Sequence, residues 1–407
     1  MVQGMTGSFR LMKSLNRSLV INIIRRDGPI SRTDISKQAN LTPPTVTNIV
    51  NDLLKEGLVK EGRIGVSKGG RRPVLLSINY NNHYVIGVDV GTGQMRVGLS
   101  NLNAELLERK KEVLPAGVKA REFMAILYRL VDEMIESASV EKDKIVGIGI
   151  GMHGIVDEAA GVSIYAPHFN FGELPLKADL EERYDIPVRV ENDARCSAIA
   201  EMWFGGAKDN QHLVFVNVGD GIGAGVILNG QVFRGDNHIA GELGHMIVDL
   251  NGRQCTCGSY GCLHTVASGI HIRERVIHEM TLGRSTQLWD LVEHKEEIDG
   301  AIIYEAALLG DAFSEEVFAQ AGRFLGLALT NVINFLNPDQ IILGGGVMKA
   351  GEFVMKPLQE TIQRRALTDD ARRTEVTVSA LGSHSALLGA VSLILQDVFE
   401  VQDNKRN

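Results

Sequence analysis

Along the first 80 residues, apolar side chains recur at helical spacing in short stretches, each closed by residues that cannot continue a helix. Leu15, Leu19, Ile23 and Ile24 predict a first helix that stops at Asp27-Gly28-Pro29. Ser31 is placed to cap a second, running to about Ala39, with Asp34 at the third helical position able to reach back to an orphan amide. Thr42 caps a third, with Pro43 at its first position, where a missing N–H costs nothing. Val46, Ile49, Val50, Leu53 and Leu54 form its buried stripe, and Pro44, Thr45, Thr47 and Asn48 lie outside that stripe. Gly57 ends this helix, and the apolar runs Leu58 to Ile64 and Pro73 to Ile78 flank Gly65 to Arg72 as strands flank a hairpin. The pattern is that of a winged helix-turn-helix.

From Tyr84 onward the texture changes to β-branched runs punctuated by glycine, of which the chain has 44. Val88-Asp89-Val90-Gly91-Thr92-Gly93 and Val216-Asn217-Val218-Gly219-Asp220-Gly221 match in pattern, 128 residues apart, and each is followed by a second apolar strand. Paired strand-turn-strand units facing each other across a cleft can grip polyphosphate through backbone amides.

The length of 407 residues favours two to three domains, and 44% hydrophobic with 23% charged residues is the balance of a globular protein. No apolar run approaches the roughly 18 residues of a membrane span, and Met1 to Arg10 lacks the apolar core of a signal peptide, so the expected location is the cytoplasm, without membrane insertion. The net charge of −8 conceals an asymmetry: residues 1–80 carry +8 and the remainder −16. Only the front of the chain suits a phosphate backbone. The helix at 42–55 is expected in the major groove with Pro44, Thr45, Thr47 and Asn48 toward base edges, while Arg32, Lys68, Arg71 and Arg72 reach phosphates or the minor groove.

Of the four cysteines, three join a histidine in the series His245, Cys255, Cys257 and Cys262. Four N/S ligands are the number a closed tetrahedral zinc site requires, so the metal is expected to be structural. His245 belongs to Gly241-Glu242-Leu243-Gly244-His245.

With these motifs the chain resembles the ROK family of repressors and sugar kinases over nearly its whole length. The front module makes it similar to that family's sugar-responsive repressors, including those for xylose, glucose and N-acetylglucosamine. Glu191-Asn192-Asp193-Ala194-Arg195 resembles the family's sugar-binding and catalytic segment, Glu242 and His245 its Glu-x-Gly-His motif, and Gly344-Gly345-Gly346-Val347 its adenosine-side loop. The resemblance implies an α/β fold. A winged helix-turn-helix at residues 1–80 would precede two actin-like lobes, at 81–200 with the C-terminal helix 385–399, and at 201–384. It also implies sugar binding by Asn192, Asp193, Glu242, His245 and the position of His264.

The chain departs from that pattern on the phosphate side. Its first loop reads Asp89-Val90-Gly91-Thr92-Gly93-Gln94 where the family's kinases have Asp-x-Gly-Gly-Thr-Lys, and Asp220 replaces a threonine in the second. A carboxylate where polyphosphate would sit is repulsive by about 4 kcal/mol at an effective dielectric near 20, so ATP is not an expected ligand. His153, His168 and His264 stand where the family commonly has Pro, Asn and Glu. They fit either ordinary polar loop positions or an altered ligand. The expected protein is a sugar-controlled repressor acting as a homodimer or tetramer on double-stranded operator DNA. Its rivals are a kinase using Asp193 as base and a repressor released by a protein partner.

Overall fold

The computed structural model describes residues 9–64, 72–137, 140–169, 171–208 and 210–400. In the N-terminal head, α1 (Phe9–Asp27), α2 (Arg32–Ala39) and α3 (Pro43–Lys55) pack against a small sheet of β1 (Ile30–Ser31), β2 (Val59–Ile64) and β3 (Val74–Ile78). Local chemistry explains the helix starts. The Ser31 hydroxyl accepts from the Asp34 amide at 3.1 Å and donates to the Asp34 carboxylate at 2.6 Å, so Asp34 grips the cap itself rather than a free amide. Thr42 accepts from the Thr45 amide. The buried face of α1 is Val20, Ile21, Ile23 and Ile24, whereas Leu15 and Leu19 are 46% and 43% exposed.

Two sheets follow. The first, of β4 (Tyr84–Val90), β5 (Gln94–Asn101), β6 (Leu106–Val113), β7 (Ile145–Met152) and β10 (Val188–Asn192), has the order β10-β7-β4-β5-β6. It is flanked by α4 (Ala120–Ser137), α5 (Leu176–Tyr184) and the small hairpin of β8 (Ile155–Asp157) and β9 (Val162–Tyr165). The second comprises β11 (Leu213–Val218), β12 (Ile222–Leu228), β13 (Gln231–Val232), β14 (Gln340–Gly344) and β15 (Glu375–Val378), in the order β13-β12-β11-β14-β15. It carries α7 (His264–Ala267), α8 (Gly269–Thr281), α9 (Gly300–Leu308), α10 (Ala312–Leu336), α11 (Glu352–Arg365) and α12 (Asp369–Arg372). In each sheet an antiparallel hairpin, β4-β5 or β11-β12, is extended by parallel strands, β7 and β10 or β14 and β15.

Between the sheets runs α6 (Asp193–Trp203), and beside it α13 (Ser385–Phe399). Every residue of α6 from Ala194 to Glu201 is buried, as expected of a helix covered on all sides. Val391, Ile394, Leu395 and Phe399 of α13 belong to the same buried cluster as Val20, Ile21, Ile24 and Leu53 of the head. The head is thus seated on the body by a shared apolar core. Among the described residues no helix is long and apolar enough to cross a membrane.

Candidate functional site: an interlobe cleft, a thiol cluster and a DNA-facing helix

The chain leaves β10 and enters α6 at Asn192, whose side chain accepts from the amides of Ala194 and Arg195 (3.0 and 3.1 Å). Its Nδ2 donates to Gly154 O at 2.9 Å and to Asp193 Oδ1 at 3.1 Å. Both donors and both lone pairs of the amide are used, so Asn192 orients Asp193, and any hydroxyl it held would have to displace one of these partners. Burial pushes the Asp193 carboxyl up to about 7, helped by the nearby charges of Asp89 and Glu242. Burial raises Glu242 as well, with His245 and Arg195 opposing it.

Next to Asp193 in the same motif, Glu191 and Arg195 form an ion network whose outside partners motif reading did not identify. Buried Glu191 receives Arg195 at 3.3 Å and Arg234 at 2.7 Å, and Arg195 also donates to the carbonyls of His238 and Ala240 at 2.7 and 2.8 Å. These bonds tie the start of α6 to the segment that leads into Glu242.

His245 has a different neighbour at each ring nitrogen. Nδ1 lies 3.7 Å from Cys255 Sγ, and Nε2 lies 4.0 Å from Glu242 Oε2. Cys257 and Cys262 are 3.8 Å apart, and the ligand atoms of all four residues fall within 4.8 Å of one another. Zinc–sulfur bonds of about 2.3 Å in a tetrahedron place ligand atoms roughly 3.8 Å apart, so the cluster has the dimensions of a closed metal site. A cation on Nδ1 would leave Nε2 as a hydrogen-bond donor toward Glu242 and the cleft.

Four further histidines gather nearby. His264 stacks parallel to His245 at 5.9 Å and meets His271 edge-on at 5.2 Å. Burial lowers His264 to about 4, with His271, His245 and His168 adding to the effect. Across the cleft, His153 and His168 share a 2.9 Å hydrogen bond, and burial holds His153 down at about 3.

The two glycine turns meet. Thr92 Oγ1 donates to Asp220 Oδ2 at 3.0 Å, joining the first hairpin to the second. Asp89, raised by burial to about 6, is paired with Arg96 at 2.6 Å. Sequence reasoning identified the loops but missed Arg96, because it lies outside the motif, on the strand opposite Asp89 in the β4-β5 hairpin. An apolar cavity of about 800 Å³ is lined by Glu242 and His245 together with Val226, Asn331 and Phe335.

In the head, Pro44, Thr47 and Asn48 are exposed on α3, and Thr45 is half-buried against the capping Thr42. Arg32 pairs with Glu61 at 2.9 Å. Arg72 is exposed, while Lys68 and Arg71 lie outside the described residues.

A winged helix-turn-helix fused to paired hairpin lobes around a cleft defines a DNA-binding protein built on a sugar-kinase scaffold. The ROK family profile matches residues 85–397, and a profile described as winged helix-turn-helix DNA-binding matches residues 15–60. The chain belongs to the ROK family. It is 34% identical to a putative xylose repressor of Caldicellulosiruptor sp. (strain Rt8B.4), over 98% of this chain and 99% of that protein. It is 32% identical to the N-acetylglucosamine repressor of Escherichia coli O6:H1, over 96% and 95%. Among solved structures, a ROK family transcriptional regulator homologous to the E. coli MLC protein superposes with a TM-score of 0.85 at 30% identity, covering 96% of this chain and 97% of that one. A ROK family glucokinase from Streptomyces griseus, solved with glucose and AMPPNP, gives 0.69 at 29% identity over 76% of this chain and 98% of that one.

Proposed function

We propose that the chain is a carbohydrate-responsive transcriptional repressor. A head at residues 1–80 holds double-stranded operator DNA, and sugar in the cleft between lobes at 81–200 (with 385–399) and 201–384 changes its affinity. The observation that supports this reading is one chain in which a winged helix-turn-helix head shares a core with a body whose cleft gathers Asp193, Glu242 and several histidines. Asp193 and Glu242 supply carboxylates that accept from neighbouring hydroxyls, His245 and His264 offer imidazole edges, and Asn192 holds Asp193 in place. Thr92 bridged to Asp220, and Asp89 bridged to Arg96, occupy groups that ATP and its counter-ion would need. His245, Cys255, Cys257 and Cys262 would hold one structural Zn²⁺, which supplies rigidity and no open coordination position. In a symmetric dimer, or a pair of dimers, two copies of α3 would present Pro44, Thr45, Thr47 and Asn48 to two half-sites, with the wing cations on the backbone. Such a protein acts in the cytoplasm.

The names of the relatives make xylose and N-acetylglucosamine the first sugars to test. Calorimetry against pentoses, hexoses and their phosphates, repeated with operator DNA, should find one that binds and that alters operator affinity by about 5 to 150-fold. Sugar-dependent ATP consumption lost in Asp193→Asn would instead establish a kinase, and an operator complex insensitive to every bound sugar would point to control by a protein. Arg72→Ala should weaken operator binding severalfold and reduce its salt slope by about one unit. Unchanged affinity and slope would remove this cation from the interface.

A further inference from the structure

We propose that α6 transmits the state of the cleft to the DNA head, and that Arg25 and Trp203 are the positioning residues at its far end. This rests on the reading of the cleft as a receptor. The helix begins at Asn192 and Asp193, and its eleven residues span about 16 Å. Both lobes touch it backbone to backbone. A Cβ on Gly389 of α13 would come within 1.9 Å of Cys196 O, and one on Gly225 of β12 within 2.5 Å of Ala194 O. A rigid element held this closely from two sides cannot keep both registers when the lobes rotate against each other, so its ends must shift.

What lies at the far end belongs to the head. The Arg25 guanidinium of α1 sits 4.2 Å from the centre of the Trp203 ring and 4.9 Å from that of Phe399. Ser18 and Asn22, on the same helix, donate to Phe399 O at 2.7 and 2.6 Å. Cation–ring attraction depends on the guanidinium staying over the ring face. Movement of Trp203 is therefore felt by α1, the helix on which α2 and α3 pack. Burial holds the Arg25 pKa below its ordinary value, as expected for a cation whose main partners are rings.

The chain contains only two tryptophans, 203 and 289, and Trp289 is exposed on the second lobe. The variant Trp289→Phe thus leaves Trp203 as sole reporter. The probes are D-xylose, D-glucose, N-acetylglucosamine and glucose 6-phosphate, and an operator duplex selected from a random pool. A sugar that binds by calorimetry should shift Trp203 emission. Arg25→Gln should keep sugar affinity within twofold while reducing the sugar-induced change in operator affinity at least fivefold. Arg25→Lys should restore part of it, and Trp203→Phe, which keeps a ring face, should retain more than Trp203→Leu. Matching thermal unfolding separates lost coupling from lost folding. Bound sugar with a silent Trp203 and full operator release in Arg25→Gln would overturn the proposal while leaving the receptor reading intact. If no probe sugar binds, the receptor reading fails and the path is tested in reverse. Operator binding must then shift Trp203 emission and alter hydrogen exchange at amides 194–198; silence in both overturns the path, and change in both supports it.

Discussion

The carboxylates of the interlobe cleft stand on two different scaffolds: Asp89 and Asp220 belong to the matched hairpins β4-β5 and β11-β12, whereas Asp193 starts α6 and Glu242 lies in the segment after β13. On the side proposed for carbohydrate, Asp193 accepts from Asn192 Nδ2 at 3.1 Å, Glu242 lies 4.0 Å from His245 Nε2, and burial raises both. On the phosphate side each carboxylate is already answered from within the chain: Asp89 by Arg96 at 2.6 Å, and Asp220 by Thr92 at 3.0 Å. A carboxylate closed by a guanidinium or by a bond across the loops has less left to offer a ligand, whereas one with only an amide or a more distant imidazole beside it keeps lone pairs for hydroxyl donors that reach it. The comparison separates a receptor from an enzyme more sharply than the presence of a catalytic residue type does, since Asp193 alone serves both.

The most drastic way to break the carbohydrate side is to remove its support. Metal analysis should return about one zinc per chain, and chelation or Cys257→Ala should abolish sugar binding altogether, because structural zinc contributes on the order of 10 kcal/mol to the folding of small sites. Zinc-free protein with full sugar affinity would detach the cluster from the cleft. Next in size, Asp193→Asn removes charge-assisted bonds of about 1.5 to 3 kcal/mol each and should lower sugar affinity tenfold or more, with sugar-free operator binding preserved. Equal affinity in a titration of the two proteins would show that this carboxylate does not touch the sugar.

A smaller effect follows from the raised Asp193. Its folded value of about 7 lies above that of an ordinary carboxyl, so it is protonated below that pH and becomes a full acceptor only above it. Sugar affinity should rise between pH 6 and 8 by no more than about tenfold, and the rise should vanish in Asp193→Asn. The same sign makes the fold lose stability as pH climbs from about 4 to 7, so Asp193→Asn should gain melting temperature over wild type at pH 8 but not at pH 4. A pH-independent sugar affinity in wild type would place the titration elsewhere. Least of all, Asp220→Thr combined with Gln94→Lys should restore only weak nucleotide binding, a few-fold above background in an ATP-analogue titration, because Arg96 still holds Asp89. Tight binding by the double variant would mean that the two loops alone decide the phosphate side.

Much of this was legible in the chain itself. Ser31 and Thr42 mark helix starts by capping hydrogen bonds, Pro43 by its missing N–H and Gly57 a helix end by its positive φ, and the spacing of Cys255, Cys257 and Cys262 brings three thiols onto one knuckle. Helical spacing of Leu15, Leu19, Ile23 and Ile24 marked the first helix, yet Leu15 and Leu19 are exposed, because periodicity reports that a stripe exists and not which part of it the tertiary packing covers. Arg96 on Asp89, Arg195 near Ala240 and Arg25 over Trp203 were illegible for a related reason. Each joins separate elements, and nothing in either local pattern encodes the meeting.

The bond from Ser18 to Phe399 joins positions 381 residues apart. Synthesis therefore delivers the head's first helix long before its seat on α13 exists, and a chain interrupted between α3 and α13 has the head's three helices without the platform that holds them. Exchanging DNA specificity between relatives by grafting the first 80 residues meets the same constraint: the transplanted head must match Val391, Ile394, Leu395 and Phe399, or those four positions must travel with it.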